Sequence, residues 1–226
     1  MSKKVIIIGS GIAGISSSLK LKSYGINSII LDKGNFIGGR ISTREVKIGS
    51  SSNYFFHGAQ FFTAKTHEFK KIISTGVNGK YIKEFGNFDP KRYRGNKTMR
   101  DFLLNLSKKL HIQQKVKIIG IKSDNNKIKV LDNKIKEWIS YDGVISTLPA
   151  PQNCDLLNHF PSLQKTLNTG SYHACIALMF TFDEIPQGLK TYYDFYKKPG
   201  ILSWMASGSN LNVWTAHTNE KFSDLN

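Results

Sequence analysis

Val5-Ile6-Ile7-Ile8-Gly9-Ser10-Gly11-Ile12-Ala13-Gly14 is the stretch that decides the fold of this chain. Its apolar residues predict a buried strand, and its glycines predict a tight turn that leads into a helix. A second, mostly apolar run, Ser28-Ile29-Ile30-Leu31, ends at Asp32. Strand, glycine turn, helix, strand and carboxylate follow in the order of a dinucleotide-binding βαβ unit, which places the chain in the α/β class.

Each glycine of this turn has a physical role in holding a diphosphate. Gly9 permits the tight turn, Gly11 lets the backbone approach the pyrophosphate, and Gly14 lets the helix pack closely on the strand. The first N–H groups of the helix, around Ile12 and Ala13, face the phosphates at the positive end of the helix dipole. A chance glycine pattern in an ordinary α/β core is the alternative, but it gives no reason for the helix and the acid to follow at these spacings.

The residues after the second strand extend the predicted site. Asp32 can accept hydrogen bonds from ribose hydroxyls, and Lys33 lies beside it. The segment Gly38-Gly39-Arg40-Ile41-Ser42-Thr43-Arg44 follows shortly afterwards. Its two glycines let the backbone pass close to a ligand, and Arg40 supplies donors for phosphate oxygens. A basic surface turn is the alternative interpretation of this segment.

Composition indicates a folded, basic protein. The 226 residues are 40% apolar and 12% aromatic, which suits a globular fold with a buried core. A net charge of +16 arises from 32 Lys and Arg against 16 Asp and Glu, and such a balance attracts nucleic acid, anionic membranes or phosphate-bearing small molecules. Since the lysines are scattered and no nucleic-acid-binding module is evident, we predict no nucleic-acid partner.

Cysteines and hydropathy restrict the compartment. Cys154 and Cys175 are isolated, without the spacing of a disulfide framework or a metal site, so we expect reduced thiols, no bound metal and a cytoplasmic protein. Ser2-Lys3-Lys4 before an apolar stretch resembles a signal peptide, but cleavage there would remove the glycine turn, so we interpret it as the start of the first βα unit. No stretch has the roughly 18 uninterrupted apolar residues of a transmembrane helix.

The remaining periodicities predict two interleaved domains. Helices are expected at 12–23, near 66–75, from Thr98 through Leu110 and again after Pro151, with a hairpin or exposed excursion over 79–95. An antiparallel meander is expected from short strands at 115–123, 127–131, 135–140 and 142–147. Residues 1–66 and 96–151 are predicted to form the nucleotide-binding domain, and residues 67–95 and 152–226 a mixed-sheet substrate domain.

Several motifs together resemble a known family. The opening turn, Asp32 and Gly-Gly-Arg resemble the FAD-dependent amine oxidase superfamily, and longer motifs resemble its renalase-like branch. These longer motifs are Gly-Gly-Arg-Ile-Ser-Thr-Arg at 38–44, His57-Gly58-Ala59-Gln60-Phe61-Phe62-Thr63-Ala64, Asp142-Gly143-Val144-Ile145-Ser146-Thr147-Leu148-Pro149-Ala150-Pro151-Gln152 and Val213-Trp214-Thr215-Ala216-His217.

The resemblance implies a Rossmann-like FAD-binding domain with a β-meander, in a chain that is α+β overall. The FAD-binding residues that it implies are Gly9, Gly11, Ile12, Ala13, Gly14, Asp32, Lys33, Gly39, Arg40, Gly58, Ala59, Gln60 and Val116. Residues 58–60 would lie along the flavin, and Val116 on a strand that meets the adenine. The implied reaction is oxidation of dihydronicotinamide isomers of NAD(P)H by hydride transfer to flavin N5, with the electrons passed to molecular oxygen.

No nucleophile–base constellation is evident, because the histidines are widely separated along the chain, and no catalytic residue is assigned. A dihydropyridine that loses hydride becomes aromatic, so the protein must mainly stack the rings and hold the donor carbon about 3–3.5 Å from its acceptor. Candidates for the substrate pocket are Phe61, Phe180, Trp204 and His217, with core packing as the alternative role of the aromatic residues.

Two other functions stay open at this point. One is an amine or other carbon–nitrogen oxidase of the same superfamily, and the other is a shortened flavoprotein without activity. Related flavoproteins return near their C-terminus to a Gly-Asp turn over the pyrophosphate, whereas this chain contains no Gly-Asp dipeptide. We therefore expect a C-terminally incomplete substrate domain. Ser18 stands where the family prefers glycine or a small apolar residue, and little effect is expected from it.

Overall fold

The computed structural model describes residues 3–196 and 198–226. The strands in these residues are β1 (Lys4–Ile8), β2 (Asn27–Asp32), β3 (Arg44–Ile48), β4 (Ser51–Phe55), β5 (Phe62–Thr63), β6 (Ile82–Glu84), β7 (Arg92–Gly95), β8 (His111–Gln114), β9 (Ile118–Asp124), β10 (Lys127–Asp132), β11 (Trp138–Tyr141), β12 (Gly143–Ser146), β13 (Ala177–Thr181), β14 (Tyr192–Asp194), β15 (Leu202–Ser207) and β16 (Val213–Thr218). The helices are α1 (Ile12–Ser23), α2 (His67–Asn78), α3 (Asp101–Ser107), α4 (Ala150–Leu156), α5 (Pro161–Leu167) and α6 (Glu220–Leu225). Across these described ranges, no helix combines the length and the apolar composition that crossing a membrane requires.

The chain divides into two compact units, each built from two stretches of sequence. The first unit comprises Met1–Gly39 and Leu106–Ser171, and the second comprises Arg40–Asn105 and Tyr172–Asn226. The predicted division into an FAD-binding and a substrate domain concerns which ligand each part binds, and it stays a prediction.

A parallel sheet, ordered β12-β1-β2-β8, forms the centre of the first unit. Ile7 of β1 pairs with Ile145 of β12 on one side and with Ile30 of β2 on the other. Ile7 and Ile30 are fully buried, because a parallel sheet is covered on both faces and favours β-branched residues. The predicted strand–turn–helix–strand unit is therefore confirmed.

Two strands of this sheet differ from the sequence prediction. The segment 142–147 is expected in the meander, but β12 instead pairs in parallel with β1. Val144 and Ile145 are consecutive apolar residues, a pattern typical of a strand with both faces covered and not of an alternating meander strand. β8 is not predicted at all; as the strand at the edge of the sheet beside β2, it carries polar residues that give no strand signal.

An antiparallel meander, β9-β10-β11, completes the sheets described in the first unit. β9 and β10 are joined by Asn125 and Asn126, whose φ values are 46° and 58°. Asparagine tolerates this left-handed region better than most residues, and the turn predicted here is confirmed. Val130 of β10 is fully buried and pairs with Ile121 of β9, so the meander contributes to the core of this unit.

The described residues of the second unit form three antiparallel sheets, namely β13-β16-β15-β14, the hairpin β3-β4 and the small sheet β5-β7-β6. Trp214, in β16, is fully buried. The β6–β7 hairpin confirms one of the two structures predicted for 79–95. These sheets place the loops and strand ends around which the site of this unit is built.

Helix α3 is shorter than the predicted helix from Thr98 through Leu110. The carboxylate of Asp101 accepts hydrogen bonds from the backbone N–H groups of Lys97 and Thr98, at 2.6 and 3.1 Å. These contacts form a turn that precedes the helix, so the first predicted helical residues are not helical. The apolar pattern still marks buried positions, because Met99 is fully buried before the helix begins.

Candidate functional site

The glycine turn between β1 and α1 makes contacts that only glycine permits. Gly9 has a φ of 104°, in the region that favours glycine, and a Cβ there would lie 2.7 Å from Oγ1 of Thr147. A Cβ on Gly14 would lie 1.9 Å from the carbonyl oxygen of Gly9. Helix α1 therefore starts directly against the turn, and the packing of the protein itself explains these two glycines.

Gly11 differs from both of them. Its φ of −72° suits any residue, and a Cβ there would have its nearest neighbour, the carbonyl oxygen of Gly38, at 3.9 Å. No described side chain caps the start of α1, so the first N–H groups of the helix lack partners within it. Ile12 and Ala13 are exposed beside these groups. Open space and donors without helical partners together fit a diphosphate at the helix N-terminus.

Asp32, at the end of β2, connects this turn to the next loop. Its Oδ2 accepts hydrogen bonds from the backbone N–H and the hydroxyl of Ser10, at 2.6 and 2.7 Å. Its Oδ1 accepts from the N–H of Gly34 at 2.7 Å. A carboxylate oxygen accepts more than one hydrogen bond, so these contacts fix the side chain and leave capacity for the ribose hydroxyls that the sequence predicts.

Lys33 and Val116, two other residues predicted to bind FAD, make contacts that give less support to that role. Lys33 is exposed, and its Nζ lies 3.4 Å from Oε1 of Gln152. Val116 does not lie on a strand but in the connection between β8 and β9, because Lys115 turns the chain with a φ of 61°. The N–H of Val116 donates to the carbonyl oxygen of Asp32 at 2.9 Å. The expectation that a strand presents Val116 to the adenine is therefore wrong in its placement.

The Gly38-Gly39 pair lies against the glycine turn. The N–H of Gly38 donates to the carbonyl oxygen of Ser10 at 3.1 Å. Gly39 has a φ of 53°, and a Cβ on it would lie 3.5 Å from Cα of Gly11. The loop as far as Gly39 thus runs beside the turn.

In the second unit, a close backbone contact joins Arg40 to the 58–60 stretch. Arg40 is exposed, and its carbonyl oxygen accepts a hydrogen bond from the N–H of Ala59 at 2.9 Å. A Cβ on Gly58 would lie 2.2 Å from the same oxygen. This approach requires glycine at position 58, so the glycine has a structural reason within this unit.

A cavity of about 470 Å³ lies within the second unit, and its volume is in the range of small-molecule sites. It brings together two of the motifs that the sequence singles out, 57–64 and 213–217. The residues that line it are Ala59, Gln60, Phe61, Arg92, Asp194, Tyr196, Ser203, Trp204 and His217.

Gln60 links the walls of this cavity. Its side chain is buried, its Oε1 accepts from Nε1 of Trp204 at 3.3 Å, and its Nε2 donates to the carbonyl oxygen of Thr215 at 3.2 Å. Its own carbonyl oxygen accepts from Nε of Arg94 at 2.8 Å. Because a buried amide requires partners for both of its ends, these contacts fix the orientation of Gln60 and of the Trp204 indole.

Two histidines near the cavity are neutral at neutral pH. Nε2 of His217 lies 3.1 Å from the carbonyl oxygen of His57, which can only accept, so Nε2 carries the proton. Burial lowers the pKa of His217. Burial also lowers the pKa of His57, whose Nε2 shares a hydrogen bond with Oγ of Ser42 at 2.8 Å. Neither imidazole adds a positive charge to the site.

The structure does not bring Phe180 to the cavity, so this member of the predicted pocket is wrong. Phe180 pairs with Trp214, whereas the cavity residue His217 lies three positions further along β16. Residues an odd number of positions apart point to opposite faces of a strand, so Phe180 lies on the other face of the sheet. Its ring packs edge-on against Phe182, with centroids 5.5 Å apart.

Sequence reasoning missed several residues of the cavity wall, among them Arg92, Asp194 and Ser203. Arg92 was visible only as one basic residue of the 79–95 excursion. Its position in β7 follows from the pairing of this strand with β5 and β6, which no local pattern specifies. In the part of the chain that the structure describes, no group of three or more His, Cys, Asp or Glu side chains is arranged to hold a metal ion.

Residues 7–74 match a family model described as an NAD(P)-binding Rossmann-like domain. This range contains β1, α1, β2 and the Gly-Gly-Arg loop. The match agrees with the parallel sheet and with the geometry of the glycine turn.

Two curated proteins are similar to a short part of the chain. A stretch of 47 residues is 47% identical to lysine-specific histone demethylase 1 of Caenorhabditis elegans, and it covers 21% of this chain and 6% of that protein. A stretch of 45 residues is 42% identical to 4,4'-diaponeurosporene oxygenase of Staphylococcus haemolyticus (strain JCSC1435), covering 20% of this chain and 9% of that protein. The matched part therefore spans less than a tenth of these relatives.

Among solved structures, a triple mutant of putrescine oxidase, redesigned in its cofactor binding, has the same fold. It superposes with a TM-score of 0.74 at 10% identity, over 99% of this chain and 77% of that one. By name, the two curated relatives are a demethylase and an oxygenase, and the solved structure is an oxidase whose likeness to this chain is one of fold.

Proposed function

We propose that this protein is an FAD-dependent oxidoreductase of the amine oxidase superfamily, of the renalase-like type, whose substrate is a dihydronicotinamide isomer of NAD(P)H. The observation that carries the proposal is the unfilled space at Gly11, where the free N–H groups of α1 begin. Among the described residues, the nearest atom to a Cβ built at Gly11 is the carbonyl oxygen of Gly38 at 3.9 Å, and a dinucleotide diphosphate fits both the position and the polarity of this space.

The residues proposed to bind FAD fall into two sets. In the first unit they are Gly9, Gly11, Ile12, Ala13, Gly14, Asp32, Lys33, Gly39 and Val116, and in the second unit they are Arg40, Gly58, Ala59 and Gln60. The N–H groups at the start of α1 bind phosphate oxygens, and Asp32 accepts from the ribose. FAD supplies a two-electron acceptor for hydride when bound, and molecular oxygen is the proposed final acceptor.

The cavity of the second unit is the proposed substrate site. Phe61 and Trp204 give it an aromatic wall, with ring centroids 5.3 Å apart, and such a wall suits a planar nicotinamide ring. Gln60 holds the indole of Trp204 in a fixed orientation. The chain's task in this proposal is to orient the ring and exclude water, since hydride loss from a dihydropyridine needs no protein base.

The experiment that tests this function uses the purified full chain with added FAD. A visible absorption spectrum with the flavin band establishes binding, and each dihydronicotinamide isomer is then added without oxygen. We expect at least one isomer to bleach the flavin, and readmission of oxygen to restore it with release of hydrogen peroxide. Bound flavin that no isomer bleaches would reject this substrate. A protein that stays colourless would favour the non-enzymatic alternative.

An amine substrate is the second candidate. The aromatic wall supports it, and one matched structure is that of a putrescine oxidase variant. Against it, the guanidinium of Arg92 lies 4.1 Å from the Phe61 ring and 5.2 Å from the Trp204 ring, so a positive charge already occupies these rings and repels an ammonium group. Peroxide release with amines, and none with dihydronicotinamides, would reverse this ranking.

A further inference from the structure

Arg92 is held in the cavity wall by aromatic rings. Its guanidinium carbon lies 3.8 Å from the centroid of the Phe88 ring, 4.1 Å from that of Phe61 and 5.2 Å from that of Trp204. Contacts over ring faces use the flat sides of a guanidinium and leave its N–H groups at the edge available for in-plane hydrogen bonds. The rings therefore fix the position of the charge without satisfying its donors.

One of these donors is buried and unsatisfied. Nη1 of Arg92 is shielded from solvent and makes no hydrogen bond with the residues that the structure describes. Leaving a buried donor unpaired costs roughly 1–3 kcal/mol, and more for a charged group. Because Nη1 is closed to solvent, it is closed to a ligand as well, and the part of the charge that a ligand can meet is the rest of the guanidinium, since Arg92 lines the cavity. Among the described residues, no carboxylate forms an ion pair with Arg92, so the protein does not neutralise this charge.

Arg94, two residues along the same strand, shows the alternative role of an arginine here. Its Nε and Nη1 donate to the carbonyl oxygens of Gln60 and Ser207, both at 2.8 Å. Its Nη2 is also buried without a partner, but Arg94 does not line the cavity. Arg94 therefore fixes the protein around Gln60, whereas Arg92 faces the space that a ligand would fill.

We propose that Arg92 binds an anionic group, a carboxylate or a phosphate, of the molecule that occupies this cavity. This inference rests on the proposed function: a phosphate would belong to the NAD(P)H isomer itself, whereas a carboxylate would stand in place of its carboxamide and change the substrate. The guanidinium edge matches the two oxygens of either anion. Asp194, the acidic residue of the wall, is exposed, and its Oδ1 accepts from the N–H of Tyr196 at 2.9 Å.

The test compares matched ligands by calorimetric titration of the FAD-loaded protein. Nicotinate against nicotinamide isolates a carboxylate, and nicotinamide mononucleotide against nicotinamide riboside isolates a phosphate. We expect one anionic member to bind the unaltered protein about 10- to 100-fold more tightly than its neutral counterpart. Arg92→Gln should remove this preference. Lys91→Gln is the control: it removes an exposed positive charge next to Arg92 in the sequence, one that pairs with Glu84. This variant should retain the preference for the anionic ligand.

Arg92→Lys is the second variant, in case Arg92→Gln does not fold. It keeps the charge but loses the planar fork, so an intermediate preference is expected. The inference is overturned if the unaltered protein shows no preference in either pair, or if Arg92→Gln keeps the preference. If the protein prefers the anionic ligand but no dihydronicotinamide bleaches its flavin, the proposed function is rejected and this inference is kept. If a dihydronicotinamide bleaches the flavin but the protein shows no preference for the anionic ligand, this inference is rejected and the proposed function is kept.

Discussion

The glycine turn of the first unit and the cavity of the second are built in opposite ways. The turn spans consecutive residues, 9–14, and presents backbone N–H groups and empty space. The cavity presents side chains from separate parts of the chain, namely 59–61, Arg92, 194 and 196, 203–204 and His217. A backbone site depends on local geometry, whereas a side-chain site depends on which strands pair and which faces they share.

This difference predicts different sensitivities to substitution. At the turn, replacing a glycine with alanine adds one methyl group. Depending on the position, this group either clashes with the protein and lowers its stability or occupies the space proposed for the ligand. At the cavity, the loss of one polar group leaves other buried groups unpaired. The following predictions separate these effects, in order of expected size.

Gly14→Ala should have the largest effect. The new Cβ would lie 1.9 Å from the backbone carbonyl oxygen of Gly9, which has no free rotation to avoid it. We expect the free energy of unfolding to fall by about 3 kcal/mol or more, with loss of FAD binding. Thermal unfolding and the visible spectrum of the purified variant measure both. A variant as stable as the unaltered protein would show that α1 does not pack on the turn in this way.

Gly11→Ala is the matched control for Gly14→Ala, and it should lower the affinity for FAD without lowering the stability of the protein. Its Cβ has its nearest neighbour at 3.9 Å and its φ of −72° is ordinary, so we expect stability to change by less than about 1 kcal/mol. FAD affinity should fall by about tenfold or more, because the methyl group occupies the space assigned to the diphosphate. Flavin fluorescence titration measures this. Unchanged affinity for FAD would remove the observation on which the proposed function rests.

Gln60→Leu tests the side-chain network of the cavity. It leaves Nε1 of Trp204 and the carbonyl oxygen of Thr215 without their partners, so we expect a loss of about 2 kcal/mol in urea denaturation. Gln113→Leu, at an exposed position in β8, is the control and should change stability little. Equal effects of the two substitutions would mean that the Gln60 contacts contribute nothing specific.

The smallest expected effect is the pH dependence of the same region. Because burial lowers the pKa of His217 in the folded state, the unfolded chain takes up the proton first as the pH falls. The stability from neutral His217 is complete above about pH 6.5 and is lost as the pH falls through its lowered pKa. Urea midpoints at about pH 7.5, 6.5 and 5.5 should therefore fall less steeply for His217→Gln than for the unaltered protein.

His173 provides a control of opposite sign. Its hydrogen bond to Asp224 raises its pKa, so its contribution is present below about pH 6.5 and is lost as the pH rises through the raised value. His173→Gln should thus lose stability at the acidic end of the series. Identical pH profiles for the two histidine variants would contradict both assignments.

Local patterns were sufficient for the elements whose signal lies in neighbouring residues. These patterns predict the βαβ unit and the Asn125-Asn126 turn, and they give the β6–β7 hairpin as one of two alternatives, because glycine, asparagine and apolar runs act over a few residues. The same patterns failed for β8 and for the pairing of β12. An edge strand carries little apolar signal, and strand partners are chosen by contacts far apart in the sequence.

Within the candidate sites the division is the same. The sequence alone determined the positions of the glycines that we propose bind a diphosphate, and that Asp32 follows them, since each of these proposed roles needs one residue type at one spacing. Only the tertiary structure decided that Arg92 joins Phe61, Trp204 and His217 in one wall and that Phe180 points away. Successive side chains of a strand point to opposite faces of the sheet. A shift of one residue in the pairing register therefore changes which residues meet on a given face.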